Sequence, residues 1–374
     1  LISNIARSLD DIIFLYFTID RLCDNLSNMY QEEKEIIWNN YLNEVSKNID
    51  KENAIVLFDD SDINKEYSKK LEDLDRVIDG SSQDKKIVNG YHVCEATVLS
   101  MNNKQPMSIY SKIYSCKSKN FVSKNTYTLE SIKAAENMIG EKFIGVFDRG
   151  YDDNKIFKYM SNNKHDFVVR LDDERILLFK GKKRSVGEVA KTRKGKISYK
   201  ALFDDSEEYE LMLSYTKATL PANKEEYTLV IVYGLSEKSP MKLLTNINIK
   251  DKADVIKVVR LYLSRWRIEE HFRGKKQEYD FENMRVRTLE SMNTLNMMLT
   301  IHLGHIAILA DKIDKKLLTI KILYASKSLK DKSIVWLSQI ARGIKNILAY
   351  AHTGIRDWLE IETREKFKQL ELKL

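Results

Sequence analysis

Two short, uninterrupted apolar runs, Ala54–Phe58 (AIVLF) and Phe143–Phe147 (FIGVF), constrain the fold more than any other feature. Too short for a helix and apolar at every position, each has the pattern of a strand buried on both faces, as in sheets covered by helices. Each run stops at an acid. Asp59-Asp60-Ser61-Asp62 follows the first, and Asp148, then Arg149-Gly150, follows the second. Between them, Tyr91–Ser100 and Met107–Ser115 are β-rich, are separated by Asn102-Asn103 and Pro106, and read as an antiparallel pair. Gly80, Ser81-Ser82 and Gly90 are turn signals, residues 127–139 predict an amphipathic helix, and Phe167–Arg170 a fifth strand. The order strand–strand–strand–helix–strand puts carboxylates at the ends of the first and fourth strands. If those strands are neighbours, the acids come within reach of one divalent ion. Asp is also a common turn former, and for either acid alone that is the commoner explanation.

The second constraint is Tyr262–Lys276, YLSRWRIEEHFRGKK. On a helical wheel of about 100° per residue, Arg265, Glu269 and Lys276 fall at roughly 300°, 340° and 320° from Tyr262. One narrow face then gathers a carboxylate, two cations and a phenol, as a metal-binding acid among phosphate-gripping groups would. A solvated face of paired charges gives the same pattern. Glu270 lies about 100° off that stripe and reads as a surface acid.

Composition sets bounds. Lys and Arg number 62 against 55 acids in 374 residues, a net charge of +7, which permits a polyanionic partner without requiring one. Cys23, Cys94 and Cys116 are widely separated and form neither a disulfide framework nor a metal-ligand spacing, as in a reducing cytoplasm. No apolar run is long enough to span a membrane, and no signal peptide is visible. Residues 1–50 read as a helical N-terminal region, and the start at Leu1 rather than Met leaves truncation open. Residues 51–170 hold the first part of a mixed α/β core. Residues 171–247 form an all-β insertion with basic turns at Lys180–Arg184 and Lys191–Gly195. Residues 248–311 complete the core, and 312–374 form a helical C-terminal region with Lys315, Lys316, Lys327, Lys330 and Lys332.

The spacing Tyr262-x2-Arg265-x3-Glu269-x6-Lys276 resembles the YREK signature of bacterial insertion-sequence transposases of the DDE superfamily, and RWRIEEHFRGKK resembles that family in detail. The resemblance extends to FDDSDINK, to FDRGYD and to the position of the β insertion, and spans residues 50–310. It implies a ribonuclease H-like mixed sheet flanked by helices. It also implies a metal-binding catalytic triad of Asp59, Asp148 and Glu269, with Ser61 as the hydroxyl residue of a D-x-S pattern. By the same resemblance, Tyr262, Arg265 and Lys276 grip transposon-end phosphates and Arg273 adds a DNA contact. Trp266 either stacks on DNA or packs internally, packing being favoured. Asp60 is expected to point away from Asp59, and Asp62 to be a solvated turn residue. The implied cofactor is Mg²⁺ or Mn²⁺, two ions expected. The implied partners are double-stranded DNA (transposon ends and target) and a second copy of the chain in a synaptic complex, in a bacterial cytoplasm at the nucleoid. The implied reaction is end cleavage followed by strand transfer. Two other readings stay open: a ribonuclease H-like nuclease, and a truncated or silenced DNA-binding relative.

Overall fold

The computed structural model describes residues 15–79, 84, 86–203, 207–236, 239–312 and 337–348. The turn signals Gly80 and Ser81-Ser82 and the C-terminal lysines from Lys315 to Lys332 lie outside the described residues. In chain order come α1 (Leu15–Asn28), α2 (Gln31–Ser46), β1 (Ile55–Asn64), β2 (Asp75–Ile78), β3 (Ile87–Leu99), β4 (Pro106–Tyr114), α3 (Lys124–Ile139) and β5 (Ile144–Phe147). A 3₁₀ turn (Arg149–Tyr151), α4 (Asn154–Asn162) and β6 (Asp166–Arg170) follow. Then come β7 (Ile176–Phe179), β8 (Lys182–Ser185), α5 (Val186–Lys191), β9 (Ile197–Phe203), β10 (Glu207–Thr219), β11 (Glu226–Tyr233) and β12 (Met241–Thr245). The described chain closes with α6 (Lys252–Leu263), α7 (Trp266–Glu278), α8 (Leu289–Asp311) and α9 (Leu337–Leu348).

The first five core strands lie in the order β4-β3-β1-β5-β6. β3 runs antiparallel to both β1 and β4, whereas β1, β5 and β6 are mutually parallel. This is the ribonuclease H-like arrangement. Parity along the strands divides the apolar side chains between two layers. Val56, Phe58, Phe147 and Val169 join α2, α3 and α4 on one face. Leu57, Val146 and Val168 meet α6, α7 and the first half of α8 on the other.

The structure departs from the sequence reading in three informative ways. First, β1 does not end at Phe58. Its parallel neighbour stops at the pair Phe58↔Phe147, but β3 goes on pairing with it as far as Asn64. The Asp59–Asp62 run therefore lies within a strand that has just lost one partner, not in a turn. Second, Gly90 is inside β3, paired with Asn64 on one side and Asp75 on the other. Third, the β insertion is continuous with the core: β12 pairs antiparallel with β6 and β11, so one sheet runs on through β10, β7 and β8. The basic turn Lys180-Gly181 is a tight hairpin with both residues at positive φ, and Ser185 and Glu188 then form a reciprocal capping box that starts α5.

Gly90 is required by close approach. A Cβ there would sit 2.3 Å from the Ile63 carbonyl oxygen and 2.5 Å from Val77 Cγ2, and the backbone contact cannot be relieved by a rotamer change. Gly90→Ala is expected to cost about 1–3 kcal/mol, read as a lower urea midpoint. An unchanged midpoint would mean that β1 yields at Ile63 without loss.

Candidate functional site

Asp59 and Asp148 each stand one residue beyond the last β1–β5 pair, Phe58↔Phe147. They share the parity of Leu57 and Val146, so both face the layer covered by α6 and α7. Asp60 has the opposite parity, and Tyr151 Oη donates to its Oδ1 at 3.0 Å. That agrees with the expectation for Asp60. Asp62 differs from its expectation: it is half-buried within β1 and its Oδ1 lies 2.9 Å from His92 Nδ1.

The helix carrying the YREK-like residues is not continuous. α6 ends at Leu263 and α7 starts at Trp266. In between, Arg267 N–H donates to Ser264 O at 3.1 Å and Ile268 N–H to Arg265 O at 3.0 Å, both three-residue bonds. Ser264 Oγ also donates back to Leu261 O at 2.6 Å, which tightens the turn. The single helical wheel is thus a simplification, yet the turn keeps the first three residues together.

Arg265 is their centre. Its Nη1 donates to Asp59 Oδ2 at 3.1 Å, its Nε lies 3.9 Å from Asp148 Oδ1, and its Nη2 donates to Glu269. Tyr262, buried at the end of α6, donates its hydroxyl to Asp148 Oδ1 at 2.9 Å. Glu269 lies in the first turn of α7, where the helix dipole favours a carboxylate. Burial raises the Asp59 carboxyl to about 7; Arg265 opposes this, and the charges of Asp148, Asp60 and Glu269 add to it. At Asp148 burial acts in the same sense, but Arg265, the Arg149 N–H and Tyr262 outweigh it and hold the carboxyl below its ordinary value.

Of the other sequence candidates, Lys276 is two turns beyond Glu269 and pairs with Glu282 at 3.0 Å. Arg273 is exposed. Trp266 is half-buried, with the Arg267 guanidinium 4.5 Å from its ring centroid. Ser61 is half-buried in β1.

Sequence reasoning missed the group that seats α7. Glu95 in β3 is directly opposite Asp59 and fully buried. Lys275 Nζ donates to both its oxygens, at 2.9 and 2.7 Å, and His271 Nε2 lies 2.7 Å from Oε1. Ser111, Asn296 and Thr300 complete the ammonium's shell. Burial lowers the His271 pKa, so the neutral ring donates from Nε2 and leaves Nδ1 without a partner. The signal was present: Ile268, His271, Phe272 and Lys275 follow the i, i+3, i+4, i+7 spacing of an inward-facing stripe.

Residues 114–303, just over half of the chain, match the family model of the transposase DDE domain. The chain belongs to that family. The matched stretch of this transposase DDE domain holds Asp148, Tyr262, Arg265, Glu269 and Lys276. Asp59 lies upstream and is brought to them by the β1–β5 pairing. No curated protein matches the sequence. Among solved structures, the chain is similar to piggyBac transposase in its synaptic complex with hairpin DNA, with 11% identity and a TM-score of 0.43, covering 87% of this chain and 60% of that one. The chain therefore spans about 60% of that transposase's length. It is also similar to the NurA nuclease from Sulfolobus solfataricus, with 10% identity and a TM-score of 0.26, covering 69% and 84% of the two chains. Among the described residues, no helix is long and apolar enough to cross a membrane.

Proposed function

We propose that this transposase DDE domain cleaves DNA at the ends of a mobile element and joins the freed ends to target DNA. Asp59, Asp148 and Glu269 would hold one or two Mg²⁺ or Mn²⁺ ions. The single observation that carries this reading is the convergence of those three carboxylates, from positions 210 residues apart in the chain, on one guanidinium. The donor set fits a hard divalent ion: it consists of carboxylate oxygens, and with all three acids ionised Arg265 leaves the cluster at a net charge of −2. A bound ion would activate an attacking hydroxyl and stabilise the leaving oxygen of a phosphodiester.

The chain's own residues supply position and charge. Tyr262 fixes the Asp148 carboxylate, and the Glu95–Lys275 pair seats the helix that presents Glu269. Arg265 offsets one of the three negative charges in the free protein, and its planar fork is also suited to a phosphate, so DNA binding can redirect it from carboxylate to phosphate. Lys276, Arg273 and Trp266, on the same helix, and the exposed Lys182 and Lys183 of the β7–β8 hairpin are further backbone contacts. The reaction on paired ends would use two copies of the chain.

The test is cleavage and joining on a duplex bearing the element's own ends, with Mg²⁺ or EDTA, for the wild type and Glu269→Gln. Metal-dependent nicking followed by joining, both lost in the variant, is the expected result. Nicking without joining would favour a hydrolytic nuclease. Salt-sensitive DNA binding without any cleavage would favour a silenced binding relative. Cleavage that survives Glu269→Gln would remove Glu269 from the site.

A further inference from the structure

Where β2 begins and β4 ends, a second group of side chains converges. Both strands lie along the same side of β3, β2 pairing with Ile87–Gly90 and β4 with His92–Leu99, so their ends abut at His92. Asp75 opens β2, His92 belongs to β3, and Cys116 lies two residues beyond β4. One potential ligand atom from each lies within 4.8 Å of the other two. No sequence spacing betrays this grouping, because the three positions meet only through the sheet.

The hydrogen bonds orient these atoms for a cation. His92 Nδ1 is 2.9 Å from Asp62 Oδ1, and Asp62 is its register partner on β1. A proton held on Nδ1 by that carboxylate leaves the lone pair on Nε2, which lies 3.9 Å from Asp75 Oδ2. The ring is clamped by Tyr114, its neighbour on β4, with centroids 5.3 Å apart, and Tyr114 in turn stacks on Tyr127 at 4.1 Å. The Asp75 carboxylate is fixed by the Arg76 and Cys116 N–H groups at 2.8 and 2.7 Å. An imidazole nitrogen, a carboxylate oxygen and a sulfur thus lie within 4.8 Å of one another.

We propose that Asp75, His92 and Cys116 form a Zn²⁺ site, with Asp62 as the carboxylate that orients His92 from behind. The mixed N, O and S donor set selects a borderline-soft ion over Mg²⁺. With metal–ligand bonds of about 2.0–2.3 Å, tetrahedral ligands sit roughly 3.3–3.8 Å apart, so the His92–Asp75 pair at 3.9 Å closes with a small shift, and the group as a whole, within 4.8 Å, closes with side-chain shifts of up to about 1 Å. A carboxylate behind a ligating histidine is the usual outer-shell arrangement. Cys116 is exposed, so the fourth position opens to water. The ion would tie β2 and β4 to β3 and, through Asp62, to the strand that carries Asp59. The proposal is independent of the assigned reaction.

The experiment uses the full chain, stripped with EDTA and titrated with ZnCl₂ against a chromophoric chelator, and separately with CoCl₂ as a spectroscopic probe. The expected result is one zinc per chain and a thiolate-to-cobalt charge-transfer band. Cys116→Ser, a near-isosteric change at an exposed position, should remove the band. Cys116→Ser and His92→Ala should each weaken zinc at least tenfold, whereas Asp148→Asn should leave both readouts unchanged. Absence of stoichiometric zinc, absence of the cobalt–thiolate band, or a zinc affinity that changes less than tenfold in both variants would overturn the proposal. Loss of both readouts in Asp148→Asn would also overturn it, by assigning the ion to the carboxylate cluster. Because both readouts are of metal binding, failure of the transposase reading would leave them unaffected.

Discussion

Asp59→Asn is expected to reduce end cleavage on the order of 10³-fold or more, while making the metal-free protein more stable at pH 8. The two effects have one origin. Asp59 is a carboxylate placed where folding disfavours its charge: burial raises its pKa to about 7, and neighbouring acids add to the shift despite Arg265. The folded chain therefore binds more protons than the unfolded chain between the ordinary value of 3.8 and about 7. Within that window unfolding free energy falls as pH rises, and above it the penalty is fully present. Asparagine keeps the shape and loses the titration. In EDTA, the difference in Tm between variant and wild type should be small near pH 4 and grow in the variant's favour to pH 8. The gain should be on the order of 1–3 kcal/mol, limited because an Asn amide oxygen accepts from Arg265 without the carboxylate's charge. Saturating Mg²⁺ should narrow it, since the ion stabilises only a chain that binds it. A Tm difference independent of pH would mean that Asp59 is ionised throughout, and cleavage retained by the variant would take it out of the site.

The parts legible in the sequence were those written in local pattern. AIVLF and FIGVF each stop at an acid, and parallel neighbours must bring those acids together; the structure does so one residue past Phe58↔Phe147. The insertion strands were visible by alternation, most clearly Ile176–Phe179 and Tyr227–Tyr233, against observed strands at Ile176–Phe179 and Glu226–Tyr233. What was not legible depends on partners distant in sequence. Whether β1 stops at Phe58 or continues to Asn64 is decided by β3, not by the acidic residues themselves, so strand propensity misplaced the end. The break at Ser264-Arg265 has neither Gly nor Pro to announce it; it rests on three-residue hydrogen bonds and one serine hydroxyl. The Glu95 cluster was hidden because a lysine beside another lysine reads as solvated, and its partner lies 180 residues away. Asp75, His92 and Cys116 were hidden because they meet only through the pairing of β2 and β4 with β3.

Lys275→Met is expected to destabilise the chain by about 3–5 kcal/mol, because it strands Glu95 as a fully buried carboxylate. The pair has no exposure on either side chain, and Glu95 is held ionised: burial alone would raise its pKa, but Lys275 and then His271 outweigh burial and lower it. Removing the ammonium leaves only neutral donors, His271 Nε2 on Oε1 and the Ser111 hydroxyl on Oε2 at 3.1 Å, and burial disfavours protonating the ring. The double variant Glu95→Leu/Lys275→Met removes both charges at similar volume and should recover most of the loss, since a buried ion pair against an apolar pair is often close to neutral. The urea midpoints of wild type, single and double variants close a cycle whose coupling energy measures the pair. Function should not recover with stability. Lys275 links α7 to β3, β4 and α8 through Glu95, Ser111, Asn296 and Thr300, and Glu269 lies two turns earlier on α7. An apolar replacement can restore burial without restoring that directional clamp, so cleavage at saturating DNA should stay lowered while DNA affinity changes little. A double variant that regains full cleavage would reduce the cluster to packing. A single variant as stable as the wild type would mean that Glu95 is protonated in the fold.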